Sequence, residues 1–73
     1  MFEQMLQEKQ TDMEMNNTTF AEYLNMSRSW VVGMYSDKVK KRPLRRETMS
    51  KLYNRLGIPF EVMEEYNDRL EDM

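Results

Sequence analysis

The residues best suited to chemistry in this chain are cations and hydroxyls rather than catalytic groups. Lys38, Lys40, Lys41, Arg42, Arg45 and Arg46 crowd one short stretch, and Ser27, Arg28, Ser29 and Val32 lie just ahead of it. Lysine and arginine at this density suit an anionic polymer, because each can neutralise a phosphate and release a counterion. Arginine and serine can also meet base edges by hydrogen bonds, and a short apolar side chain can meet a thymine methyl. Catalysis is not expected. The chain has no histidine and no cysteine, hence no imidazole base, thiolate nucleophile or disulfide. It has no glycine-rich phosphate loop, and its carboxylates are not set among apolar residues that would raise their pKa. No metal, cofactor or small-molecule substrate is expected.

The net charge of −2 hides a strong asymmetry. The first part of the chain carries Glu3, Glu8, Asp12, Glu14 and Glu22 against Lys9. The middle carries Arg28, the six cations above, Lys51 and Arg55 against Asp37 and Glu47. The last part carries Glu61, Glu64, Glu65, Asp68, Glu71 and Asp72 against Arg69. A basic centre between acidic ends suits one face turned to an anionic partner and another turned elsewhere.

These side chains need a scaffold, and the pattern predicts an all-α fold: one domain over residues 1–73, a compact bundle of about five short helices. Two glycines and two prolines are the only strong breakers in 73 residues. Phe2, Met5, Leu6 and Met13 predict an N-terminal helix over about 2–13, followed by a connection to Asn17. Thr19 and Glu22 have capping-box spacing, which predicts a helix start at Thr19 that buries Phe20, Ala21 and Leu24. Asn25 tolerates the left-handed conformation that ends helices. Ser27 then caps a second helix that buries Trp30, Val31, Met34 and Tyr35. Residues 36–43 form a basic loop. A helix over about 45–56 turns Met49, Leu52, Tyr53 and Leu56 inward, and Gly57 stops it. Pro59 opens a last helix over about 59–70 that buries Phe60, Met63, Tyr66 and Leu70. Trp30 is expected in the core or at its rim, and most of the nine methionines are expected to fill the core.

One spacing carries more than local structure: Phe20, Ala21, Leu24, Asn25, Met26, Val31, Met34. A helix-turn-helix needs a small residue where its helices cross, and Ala21 supplies it. Four residues later it needs a turn residue that can go left-handed (Asn25), then an apolar plug (Met26). Val31 and Met34 complete the inner face. With this core spanning about 18–36, and Arg46 to Met63 reading as a fourth helix, a glycine stop and a fifth helix, the chain resembles the lambda-repressor and Cro type of helix-turn-helix domains found in phage and mobile-element regulators. Asn25 replaces the usual glycine, Asn17, Thr18 and Thr19 replace a usual glutamine region, and Gly33 interrupts the second helix.

The resemblance implies a sequence-specific regulator whose second motif helix enters the major groove of double-stranded DNA, and the cytoplasm is the expected location for a chain with no spanning run and no visible leader. It places Ser27, Arg28, Ser29 and Val32 toward bases. Phosphate contacts are expected from Thr18, Thr19, Lys38, Lys40, Lys41, Arg42, Arg45 and Arg46. A homodimer through the N- or C-terminal helix would double the contact, with Tyr66, Leu70 and Met73 as one apolar centre. The alternative is a protein-interaction module, an antirepressor or modulator that keeps the fold and binds another regulator. The plainer readings are a solvated basic loop and a solvated acidic helix face. No apolar run approaches the roughly 20 residues needed to span a membrane, and no leader peptide is visible.

Overall fold

Five helices account for most of the chain in the computed structural model, which describes residues 1–71; Asp72 and Met73 lie outside the described residues. They are α1 (Phe2–Asp12), α2 (Asn17–Tyr23), α3 (Arg28–Tyr35), α4 (Arg46–Leu56) and α5 (Phe60–Glu71), with no strand among the described residues. The fold class is thus all-α. No helix among these residues is long and apolar enough to cross a membrane.

Each helix contributes one apolar stripe to a single core. Phe2 and Leu6 come from α1, Phe20 and Ala21 from α2, Val31 and Met34 from α3, Leu52 and Leu56 from α4, and Met63 and Tyr66 from α5. Spacings of three and four residues put the pairs of α1, α3, α4 and α5 each on one helix face, and in α2 Phe20 and Ala21 stand four and three residues before the buried Leu24. Full burial of a leucine or phenylalanine contributes about 1.5–3 kcal/mol. The connections add Leu24, Leu44 and Ile58, so even the non-helical segments are anchored. The bundle closes between its first and last helices. The Phe2 and Tyr66 rings lie 5.0 Å apart, and Arg69 Nη2 meets Glu3 Oε1 at 2.9 Å. Burial pushes the Glu3 carboxyl up, but its backbone hydrogen bond and Arg69 outweigh this and hold it below the usual range. This half-exposed pair contributes little to stability, since solvent screens it.

The helix ends explain where the observed elements depart from the expected ones. The start of α2 is capped by Asn16, whose Oδ1 accepts from the Thr19 amide at 2.8 Å, so Thr19 lies in the first turn. Asparagine out-competes threonine as an N-cap, and the helix starts two residues before Thr19. Asn16→Ala should therefore cost about 1 kcal/mol in urea denaturation, and Thr19→Ala only a few tenths. Reversed costs would restore Thr19 as the cap.

Two C-termini use the same left-handed device without glycine. Asn25 has φ 55°, with Met26 N donating to Ala21 O and Asn25 N to Glu22 O. Glu14 also has φ 55°, with Met15 N donating to Gln10 O and Glu14 N to Thr11 O. Both are Schellman closures, which satisfy carbonyls the helix leaves open. Gly57 ends α4 with φ 71°. At α5 the Pro59 carbonyl accepts from Val62 N and Met63 N, so Pro59 precedes the helix rather than opening it.

Burial also differs at several positions. Tyr53 is 50% exposed and Phe60 37% exposed, their rings stacked on each other at 5.1 Å outside the core. The methionines mostly line the core rather than fill it: Met34 and Met63 are buried, while Met5, Met13, Met15, Met26 and Met49 are half-buried around it. Tyr66 is 1% exposed, so it cannot be the centre of a dimer surface. Its hydroxyl donates to the Arg42 carbonyl at 3.2 Å. Its pKa is raised by burial and by Glu3, against Arg69.

Candidate nucleic-acid interface

The start of α3 depends on Ser27, whose Oγ accepts from the Trp30 amide at 3.2 Å. With the cap in place, α3 buries Val31 and Met34, and Ser27, Arg28, Ser29 and Val32 face solvent. Trp30 is half-buried and packs against the core. The turn before α3 is tied to α4 through Lys51, whose Nζ donates to Asn25 O at 3.4 Å.

Residues 36–45 form no helix, yet they are braced at several points. Ser36 Oγ accepts from Lys38 N at 3.2 Å. Leu44 is buried, and Asn67 of α5 accepts from its amide at 2.7 Å and donates to its carbonyl at 3.2 Å. Asn67 thus serves the Leu44 backbone as a neighbouring strand would. Tyr66 holds the Arg42 carbonyl.

Lys41 changes role. Its Nζ donates to Gly33 O at 2.9 Å, to Ser36 O at 2.7 Å and to Met34 O. Three ammonium protons on three carbonyls cap the C-terminus of α3, where the helix dipole favours a cation. Lys41 was expected on phosphate, but its protons are engaged within the fold. The Thr19 amide is likewise engaged by Asn16. Thr18 is exposed in the first turn of α2.

Lys38, Lys40, Arg42, Arg45 and Arg46 are all exposed. The last two stand at the start of α4: Arg45 is the N-cap, with no side-chain cap hydrogen bond, and Arg46 is the first helical residue. Cations at a helix N-terminus oppose its dipole, by roughly 0.3–1 kcal/mol each. The same first turn also carries Glu47, as those of α1 and α5 carry Glu3 and Glu61, and this acid offsets part of the opposition. The first turns of α2 and α3 contain no acidic residue. Between α3 and the loop runs a cleft of about 470 Å³, walled by Ser29, Trp30 and Gly33 on one side and by Val39, Lys40 and Arg42 on the other.

Three structural residues behind this surface escaped the sequence: Gln10, Leu44 and Asn67. Gln10 is buried on α1. Its Nε2 donates to Met15 O at 3.1 Å and to Asn17 Oδ1 at 2.9 Å, and its Oε1 accepts from Tyr35 OH at 2.7 Å. One amide thus joins α1, the connection and α3. Burial pushes the Tyr35 hydroxyl up to about 12. A lone glutamine in a polar helix gives no sign of burial, and only Leu44 had apolar character to betray it.

No family model matches the chain, nor does any curated protein or solved structure.

Proposed function

We propose that this chain is a DNA-binding transcriptional regulator of the phage or prophage type, acting in the cytoplasm without catalysis or a cofactor. The observation that carries the reading is the run of exposed cations on a braced loop, continued by Arg45 and Arg46 at the start of α4, where no side chain caps the helix and Glu47 is the one acid of the first turn. Such an arrangement opposes the helix dipole in the free protein and becomes favourable once phosphate is bound. Ser27, Arg28, Ser29 and Val32 present the first turns of α3 to base edges, with Arg28 suited to guanine. Lys38, Lys40, Arg42, Arg45 and Arg46 serve as phosphate contacts, and Thr18 adds a hydroxyl from α2. Lys41 braces the loop that carries three of them.

The alternative, a module that binds another regulator, draws on the exposed Tyr53–Phe60 stack and on the acidic face of Glu61, Glu64, Glu65 and Asp68. Aromatic residues are favoured at the centres of protein interfaces.

Selection of duplexes from a random pool, at two salt concentrations, separates these readings. With five phosphates neutralised, log K should fall against log salt with a slope near −4.5. An enriched palindrome would identify a dimeric operator binder. No retention at low salt would sink the DNA reading and favour a protein target.

A further inference from the structure

The cleft between α3 and the loop gathers polar groups of one kind. Ser27, Ser29, Trp30, Lys40 and Arg42 all line it, and each carries a side-chain donor that no acceptor among the described residues takes up. No carboxylate lines it. The Trp30 indole N–H reaches solvent, since no buried side-chain nitrogen or oxygen lacks a partner among the described residues. Lys41 also borders the cleft, but its three protons are spent on carbonyls of the fold. Trp30 and Val39 give the cleft an apolar part. Its volume of about 470 Å³ lies within the range of small-molecule sites, roughly 300–1,000 Å³.

We propose that this cleft binds a small aromatic oxyanion, with a planar ring against Trp30 and Val39 and a carboxylate or phosphate held by Lys40 and Arg42. Walls that offer only donors need acceptors from their occupant, and two cations with no acid beside them select a negative charge. The planar fork of arginine matches two oxygens of either acid group. An indole offers a ring both apolar area and a preferred stacking geometry. Duplex DNA can meet the same two cations through phosphate, but its bases are stacked on one another and cannot lie on the indole. Lys40 and Arg42 are phosphate contacts in the DNA-binding reading, so the ligand would displace duplex. That regulatory consequence rests on the DNA reading, whereas ligand binding does not.

The test titrates the full ¹⁵N-labelled chain with phenyl phosphate and, separately, with benzoate, followed by NMR at the indole N–H. The chain has one tryptophan, so that signal reports this cleft alone. Either probe should move it and saturate at about millimolar concentration, and the tighter of the two identifies the acid group. Benzamide keeps the ring without the charge, and inorganic phosphate keeps the charge without the ring. Each should bind about ten-fold more weakly or worse. Arg42→Gln and Lys40→Gln should each weaken the tighter probe about ten-fold, the loss of one charge-assisted hydrogen bond. Both side chains are exposed, so the rest of the spectrum should stay in place and show the fold intact. An indole signal that neither probe moves would overturn the site. Inorganic phosphate binding as tightly as phenyl phosphate would overturn it too, as would undiminished binding in both variants. Saturating probe should then lower duplex affinity about ten-fold, and an unchanged duplex affinity would overturn the regulatory consequence. A chain that bound the probes but no duplex would keep the cleft and lose the DNA reading.

Discussion

Gln10→Leu should destabilise the fold by about 2–3 kcal/mol, measured as a lower midpoint in urea with an unchanged slope. Leucine keeps the volume but removes two donors and one acceptor. The Met15 carbonyl, the Asn17 amide oxygen and the Tyr35 hydroxyl would each lose a partner in a part-buried site. A domain of this length holds only about 4–11 kcal/mol in total, so the loss is a large share. Tyr35→Phe should cost about 1 kcal/mol alone. Combined with Gln10→Leu it should add almost nothing, because the shared bond is already gone. Strict additivity would show that the two side chains do not act as one unit. The same site sets an alkaline limit. Tyr35 is raised from 10 to about 12, so its neutral form is favoured in the fold. That contribution is fully present below pH 10 and is lost as the pH rises through about 12.

The double reversal Lys40→Glu, Arg42→Glu should lower duplex affinity about 100-fold at roughly 0.1 M salt and flatten the salt slope by about 2. Both side chains are exposed and neither makes a hydrogen bond among the described residues, and the Arg42 carbonyl held by Tyr66 is untouched. The melting temperature should therefore stay within a few degrees. Lys41, between them in sequence, is the control. Lys41→Met removes the cap of α3 and should lower stability by about 2 kcal/mol, while affecting DNA chiefly through a loosened loop. If the double reversal bound duplex as well as the wild type, the basic surface would have no part in binding and a protein target would be the better reading. If it unfolded the chain instead, these side chains would be structural, as Lys41 is.

The contrast between Lys41 and its neighbours shows what can be read from sequence and what cannot. The helices were legible because burial imposes a period of three to four on Leu52, Leu56, Met63 and Tyr66, and because Gly57 and Ser27 punctuate strongly. The outward placement of Ser27, Arg28, Ser29 and Val32 came from the resemblance to helix-turn-helix domains, and all four are exposed. Within a run of cations, however, charge alone does not say which one turns back onto a helix end. That depends on where the loop passes, and the loop is fixed by Leu44, Tyr66 and Asn67, the last two more than twenty residues away in the chain. The Schellman turn at Glu14 was invisible for a related reason: its left-handed residue is neither glycine nor asparagine. Phe60 illustrates the reverse error. Its aromatic character predicts burial, but it stands at the start of α5, where Tyr53 offers a stacking partner outside the core.

The closure of the bundle between α1 and α5 bears on the order in which it can assemble. Phe2 packs on Tyr66, and Gln10 reaches Tyr35. A growing chain therefore makes the first helix early and supplies its main apolar partner late. Until then α1 is an eleven-residue helix without support, below the length at which isolated helices persist in water. Nearer partners such as α2 and α3 can join sooner through their short turn. Vectorial synthesis would thus leave the N-terminal segment waiting, its phenylalanine exposed, until the final helix leaves the ribosome.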